Sequence, residues 1–213
     1  MQETNHVAVL DFGSQYTQLI VRRVRELGFY AKLYSPDDIT EIGQPGAVIL
    51  SGGPKSTSEE DAPDVDFEKL KSFDVPVLGV CYGMQLLNIK FGGSVKASDK
   101  REYGPAMLKP TSHENLYTGI SGESQVWMSH SDTVENLHPE AEVIAVNQHG
   151  TPVSLKWPEN FFGIQFHPEV THSHEGNQIL QNFLSHASDL QPFHIDDFKQ
   201  ELIEGIRERV GTK

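Results

Sequence analysis

Cys81, the single cysteine of the chain, stands at the centre of a Gly-x-Cys-x-Gly pattern at residues 79–83. The pattern follows an apolar run at residues 75–80, which predicts a strand, and precedes residues 84–91, whose composition predicts a helix. A sharp strand-to-helix turn exposes its central side chain, and small residues two before and two after it avoid clashes. Because a helix N-terminus favours the thiolate, the pattern predicts a nucleophile, with a buried structural cysteine as the alternative.

A candidate base follows a second predicted strand, at residues 161–166, where His167 and Glu169 flank Pro168. Open α/β sheets build their sites at such strand ends. His167 would take the thiol proton and later protonate the leaving amine, while Glu169 would orient the imidazole and stabilise its charged form. A surface turn is the alternative, and the presence of Cys81 favours the catalytic interpretation.

An acyl-transfer site also needs N–H donors for the developing oxyanion. Residues 51–54, with the sequence Ser-Gly-Gly-Pro, follow a strand predicted at residues 47–50, and a glycine there lets a backbone N–H approach a substrate. The same residues also suit an ordinary loop. They lack the spacing of a phosphate-binding loop, so they do not predict a nucleotide site.

The first eighty residues alternate apolar runs with helical patterns, which is typical of parallel strands joined by crossover helices. Strands are predicted at residues 7–10 and 30–34, with a helix at residues 15–27 that ends at Gly28. After residue 93, short strands follow with few helices between them, and a late helix is predicted at residues 177–185. We therefore expect an α/β fold: an open mixed sheet with a later antiparallel part and helices on both faces. The later strands are predicted at residues 107–108, 125–128, 143–146, 153–157 and 161–166, and residues 100–104 are predicted to form a solvated turn.

The composition limits the partners of the chain. It has 213 residues, and 17 Lys and Arg against 30 Asp and Glu give a net charge of −13, which repels phosphate backbones and anionic membranes. A single cysteine excludes an internal disulfide, and no apolar run approaches the roughly 18 residues of a membrane span. The N-terminal residues lack a secretory signal pattern. We expect a folded, cytoplasmic chain that binds neither nucleic acid nor membrane.

Two segments together resemble the class I (triad) glutamine amidotransferase family: residues 79–85, Gly-Val-Cys-Tyr-Gly-Met-Gln, and residues 163–169, Gly-Ile-Gln-Phe-His-Pro-Glu. Residues 10–16, 51–54, 126–132 and 166–172 resemble the same family, so the resemblance covers residues 6–186. It implies the flavodoxin-like sheet of this family. It also implies a glutamine amide hydrolase that uses neither cofactor nor metal for this step.

The resemblance also implies individual roles. The implied residues are Cys81, His167 and Glu169 for catalysis, Gly53 and Tyr82 for the oxyanion hole, and Gln85, Ser129, His130 and Ser131 for the amino-acid end of L-glutamine. His130 is expected to support this pocket structurally. The sequence departs from the family at Ser131, where glycine is common, and at Lys55 in the oxyanion loop.

The resemblance further implies that the ammonia passes to an ATP-dependent synthetase domain, which uses ATP and magnesium. We expect residues 1–190 to form the amidotransferase domain, and residues 191–213 to form a linker helix leading to a synthetase domain that this sequence lacks. Docking of that helix on its own core is the alternative. The stretch 185–193 differs from the usual linker, and the resemblance also allows a homodimer of the full-length protein.

Two alternative functions remain at this point: the glutaminase domain of another amidotransferase, and a catalytically silent regulatory module of the same fold. His172 and His174, beside Glu175, have the spacing of two metal ligands, but a polar loop is the preferred interpretation because no further ligand motif accompanies them. The acidic residues at 59–66 are interpreted as a solvated surface.

Overall fold

The computed structural model describes residues 5–195 and Gly211. The strands are β1 (Val7–Leu10), β2 (Ala31–Tyr34), β3 (Ala47–Leu50), β4 (Val77–Val80), β5 (Val95–Pro110), β6 (Ser124–Val134), β7 (Glu142–Asn147), β8 (Pro152–Trp157) and β9 (Phe161–Ile164). They form one sheet in the order β2-β1-β3-β4-β9-β8-β7-β5-β6. Pairing is parallel from β2 to β9 and antiparallel from β9 to β6. The predicted mixed sheet with a later antiparallel part is confirmed.

Helices cover both faces of this sheet. The helices are α1 (Thr17–Glu26), α2 (Phe67–Ser72), α3 (Tyr82–Lys90) and α4 (Gly176–Leu184), with 3₁₀ helices at Pro36–Glu41 and Asn115–Tyr117. Side chains alternate across a strand, so Val7 and Val9 of β1 join the core with α1 and α4, while Ala8 and Leu10 join the core with α2 and α3. The predicted α/β fold with helices on both faces is confirmed, although the sequence pattern does not predict the short α2.

Helix α1 forms because its apolar residues share one face. Ile20, Val21 and Val24 are buried against the sheet. The helix ends where Gly28 adopts a φ of +90°, a conformation that side-chain-bearing residues avoid. The predicted helix and its glycine C-cap are confirmed.

The prediction of a solvated turn at residues 100–104 is wrong, because these residues lie within β5. β5 pairs antiparallel with β6, with a register shift between Ala97 and Glu102. Pairing with a long neighbouring strand outweighs the polar local composition. β6 is correspondingly longer than the four residues predicted, and this extension carries it into the candidate site.

Residues 191–193 lie along the edge of the domain near β2. The Gln191 N–H donates to the Asn5 carbonyl, and the Phe193 N–H donates to the Gly28 carbonyl. Residues 196–210 and 212–213 of the expected linker helix lie outside the described residues. None of the helices within the described residues is long and apolar enough to cross a membrane.

Candidate active site

Cys81 occupies a strained turn between β4 and α3. Its φ is 52° and its ψ is −103°, in a region that costs a non-glycine residue free energy. The turn closes tightly: a Cβ added at Gly79 would lie 2.5 Å from the Gly83 carbonyl carbon, and one at Gly83 would lie 2.5 Å from the Leu50 carbonyl oxygen. Both glycines of the pattern are therefore required by close backbone approach. The Cys81 side chain stands at the N-terminus of α3, where the helix dipole favours an anion.

His167 and Glu169 form a buried pair beside the cysteine. The His167 Nδ1 lies 2.7 Å from the Glu169 Oε1, and the two residues are 3% and 0% exposed. A carboxylate only accepts, so Nδ1 carries the proton in this contact and Nε2 is the nitrogen left for the sulfur. Burial lowers the pKa of His167, but hydrogen bonds with Cys81 and Glu169 and their charges outweigh it and raise the pKa to about 10. Both neighbours therefore favour the protonated form of His167 over the neutral one.

Backbone and side-chain contacts hold the turn that carries this pair. The His167 N–H donates to the Trp127 carbonyl at 3.0 Å, and Arg23 of α1 donates from Nε to the Glu169 carbonyl at 2.9 Å. The Tyr16 ring packs edge-on against the imidazole, with 5.0 Å between ring centroids. The turn and its imidazole are thus held by β6 on one side and by α1 with its N-cap residue Tyr16 on the other.

Two backbone N–H groups are available for an oxyanion. Within the described residues, no hydrogen bond uses the N–H of Gly53 or of Tyr82. Gly53 follows β3 and Tyr82 is the first residue of α3, so both lie at the carboxyl edge of the parallel strands together with Cys81. An added Cβ at Gly53 would lie 2.9 Å from the Phe12 carbonyl oxygen and 3.2 Å from the Tyr82 ring.

For the predicted glutamine hydrolysis, replacing Gly53 with alanine is expected to lower kcat about tenfold to a hundredfold, because the loop must shift to relieve these contacts and the N–H predicted to bind the oxyanion moves with it. Steady-state glutamate release measures this effect. Alanine at Gly122, where nothing lies within 4 Å of an added Cβ, is the control. Equal kcat in the two variants would contradict the oxyanion role of Gly53.

A pocket of about 290 Å³ opens at this edge and is lined by all predicted site residues except Glu169, which lies behind His167. Gln85 is 4% exposed, and its Nε2 donates to the Asp132 carbonyl at 3.0 Å. Ser131 contacts Asp132 through its hydroxyl at 3.3 Å, and Lys55 forms an ion pair with the exposed Asp61. The structure brings the predicted residues together, while their roles remain predictions.

His130 lies within β6 and not at a strand end. Its Nδ1 lies 2.9 Å from the Asp132 carbonyl, which only accepts, so Nδ1 carries the proton. Burial lowers the pKa of His130, and the nearby Glu102 opposes this only in part. A neutral imidazole that supports the pocket wall fits the structural role expected from the sequence.

Stability is therefore expected to fall as the pH drops below 6.5, because the unfolded chain then binds a proton that folded His130 resists. One such proton contributes a slope of at most about 1.4 kcal/mol per pH unit. His130→Gln keeps a donor for the Asp132 carbonyl and should flatten the slope. Urea unfolding of both proteins between pH 7 and pH 5 measures the difference, and parallel curves would refute it.

Several residues of this site escape the sequence reasoning. They are Tyr16, Arg23, Asp132 and Gln165. Gln165 could have been singled out because it is an uncharged polar residue inside an otherwise apolar run. Tyr16 could have been singled out because it lies in residues 10–16, which resemble the family but received no role. Asp132 also lies in a segment that resembles the family, residues 126–132, and received no role, whereas Arg23 gave no such signal.

The His172 to Glu175 segment serves packing. The His172 ring lies 4.6 Å from the Trp127 ring centroid, and Glu175 accepts hydrogen bonds from the Ser121 backbone and hydroxyl. Within the described part of the chain, no group of three or more His, Cys, Asp or Glu side chains could hold a metal ion.

The family model described as Glutamine amidotransferase class-I matches residues 8–187. The chain belongs to the class-I glutamine amidotransferase family, as the resemblance predicted. It is 47% identical over 213 residues to the GMP synthase (glutamine-hydrolyzing) of Thermosipho africanus, covering 98% of this chain and 41% of that protein. It is 45% identical over 216 residues to the protein of the same name from Macrococcus caseolyticus, covering 99% of this chain and 42% of that protein. The chain thus spans about two fifths of the length of the curated relatives it matches.

Solved structures agree with this family. A Thermoplasma acidophilum protein assigned as one subunit of a GMP synthase is 29% identical with a TM-score of 0.74, covering 87% of this chain and 94% of that one. A glutamine amidotransferase of Thermotoga maritima is 18% identical with a TM-score of 0.66, covering 86% and 98% of the two chains. The second likeness shows the fold alone.

Proposed function

We propose that the chain hydrolyses the side-chain amide of L-glutamine and releases ammonia. The observation that carries this proposal is the buried Cys81, His167 and Glu169 array at a strained turn, beside two unused N–H groups. Family membership supports the same chemistry. All three reactive groups are in place, which disfavours a silent regulatory module of this fold.

The reaction proceeds in two halves. The Cys81 sulfur attacks the amide carbon, and the N–H groups of Gly53 and Tyr82 stabilise the oxyanion that forms. His167 protonates the nitrogen, the C–N bond breaks, and ammonia leaves behind a glutamyl thioester. Water then gives a proton to His167 and attacks the thioester, so that glutamate departs and the sulfur is restored.

The pocket suits the amino-acid end of the substrate. Both protons of the Gln85 amide nitrogen are directed to acceptors of the protein, and within the described residues no group donates to its Oε1. This oxygen would accept a hydrogen bond from the substrate ammonium. The backbone of Ser129 and Ser131 would hold the substrate carboxylate, as the resemblance implies.

The proposed acceptor of the ammonia is XMP, which an ATP- and magnesium-dependent synthetase domain would convert to GMP in the cytoplasm. The names of the curated relatives support this destination, as does their greater length. The sequence segments named above also resemble the N-terminal glutaminase domain of GMP synthetases most closely within the family. The homodimer and the linker role of residues 191–213 stay predictions.

Covalent labelling tests the nucleophile. Incubation with a diazo ketone analogue of glutamine should add one label to the wild-type chain, located on Cys81 by peptide mass spectrometry. The Cys81→Ser variant should stay unlabelled and release no glutamate. An unlabelled wild-type chain, with and without an added synthetase partner, would favour the buried structural cysteine.

An assay with an added synthetase domain tests whether XMP is the acceptor of the ammonia. With a GMP-forming synthetase domain, XMP and ATP, glutamine-dependent GMP should form and glutamate release should accelerate, because the partner completes the site. Glutamate release without any glutamine-dependent GMP would favour service to another amidotransferase.

A further inference from the structure

Gln165 is a buried amide in the catalytic centre that the proposed reaction does not yet use. It is 2% exposed and lies between β9 and His167. Its Nε2 lies 3.7 Å from the Cys81 Sγ, and its Oε1 lies 3.2 Å from the Gln85 Nε2. A buried amide costs free energy unless its groups are bonded, so these two contacts are what stabilise it there.

The direction of both hydrogen bonds follows from one fixed acceptor. The Asp132 carbonyl can only accept, so Gln85 must turn its NH₂ group toward it. The second proton of that group points to Gln165, which must therefore present its oxygen to Gln85. As a result, Gln165 directs its own NH₂ group to the Cys81 sulfur.

The sulfur consequently lies between a donor and an acceptor. On one side is the Gln165 NH₂ group, and on the other is the Ser129 carbonyl oxygen, at 3.6 Å from Sγ. A thiol satisfies the Ser129 carbonyl by donating its proton, whereas a thiolate is repelled by that oxygen and accepts from Gln165. The two contacts therefore bias the protonation of Cys81 in opposite directions.

We propose that Gln165, held in orientation by Gln85, stabilises the Cys81 thiolate by donating a hydrogen bond to its sulfur. The contact offsets the unfavourable Ser129 carbonyl and acts together with the charged His167. The inference rests on the proposed function for its catalytic meaning, since the thiolate would be the attacking group there, but the contact of Gln165 with the sulfur can be tested without glutamine turnover.

Alkylation of Cys81 by iodoacetamide isolates this effect, because the reagent reacts with thiolate and does not need the amino-acid pocket. Rates would be measured by mass spectrometry from pH 5 to pH 10. The Gln165→Met variant removes the donor at similar size and should move the midpoint of the rate profile up by about one pH unit. The Gln165→Glu variant keeps the shape, places a carboxylate beside the sulfur, and should move the midpoint further.

Asn182→Leu is the matched control, since Asn182 is also a buried amide, donates to the Leu116 and Thr118 carbonyls from α4, and does not line the pocket that contains Cys81. It should destabilise the fold without moving the midpoint. If the Gln165→Met variant does not fold, the shift of the alkylation midpoint is measured in the Gln165→Glu variant instead. Unchanged midpoints in folded Gln165 variants, or the same shift in Asn182→Leu, would overturn the inference.

The outcome is separable from the proposed function. If the wild type released no glutamate but the Gln165 variants shifted the alkylation midpoint, the glutaminase proposal would fail and this inference would stand. If glutamine hydrolysis persisted with unshifted midpoints in the variants, the glutaminase proposal would stand and the Gln165 contact would be structural only.

Discussion

Replacing Glu169 with glutamine is expected to reduce kcat for glutamine hydrolysis by about a thousandfold to ten-thousandfold. The carboxylate fixes a proton on the His167 Nδ1 and helps to raise the pKa of that imidazole to about 10. A neutral amide supplies no charge and can present its NH₂ group to Nδ1, which turns the wrong tautomer toward the sulfur. Cys81 would then keep its proton as a neutral thiol, because the Nε2 of His167 could not accept it.

The Glu169→Gln change should also alter how the reactivity of Cys81 depends on pH. Without Glu169, the pKa of His167 falls, so alkylation of Cys81 should be slow near pH 7 and recover above about pH 8.5, where ordinary thiols ionise. Stopped assays of glutamate and iodoacetamide labelling across pH measure both effects. Glu175→Gln, which removes the same charge from a side chain bonded to Ser121, is the control. Similar kcat values for the two variants would exclude the orienting role of Glu169.

Alanine at Gly83 is expected to destabilise the fold by about 3 kcal/mol. The added Cβ would lie 2.5 Å from the Leu50 carbonyl oxygen and 2.7 Å from the Leu50 Cβ, so α3 would have to move away from β3. Because alanine is favoured over glycine in helices by about 1 kcal/mol, helix propensity alone predicts the opposite sign. The steric clash should outweigh the gain in helix propensity, since the 2.5 Å contact is with a backbone oxygen that cannot rotate away.

Urea unfolding of the Gly83→Ala and Gly122→Ala variants measures the difference, because an added Cβ at Gly122 meets nothing within 4 Å. Loss of glutamine hydrolysis should accompany the loss of stability in the first variant, since Cys81 is carried by the same turn. A Gly83→Ala protein as stable as wild type would show that the turn is not closed as tightly as described.

Local sequence patterns predicted most of the parallel half of the sheet. The runs at residues 7–10 and 47–50 are apolar on both faces, as strands covered by helices must be, and Gly28 marks the end of α1 through its positive φ. The antiparallel half was less predictable, because β5 is polar and is held by its pairing with β6 rather than by its own pattern. The short α2 also escaped prediction, since six residues give too little helical periodicity.

The sequence by itself determined the chemistry available to this protein: one thiol between two glycines at a strand end, and a histidine and a glutamate after another strand. Those groups are set by residue type and by local backbone requirements, which neighbouring residues encode. Only the tertiary structure decided how they combine, because β4 and β9 become neighbours through a parallel pairing across some eighty residues of chain. The same pairing places Gln165 beside Cys81, and the length of β6 brings the Ser129 carbonyl to the other side of the sulfur. The protonation of a buried thiol depends on such contacts between distant parts of the chain, and the residues next to Cys81 in the sequence do not predict them.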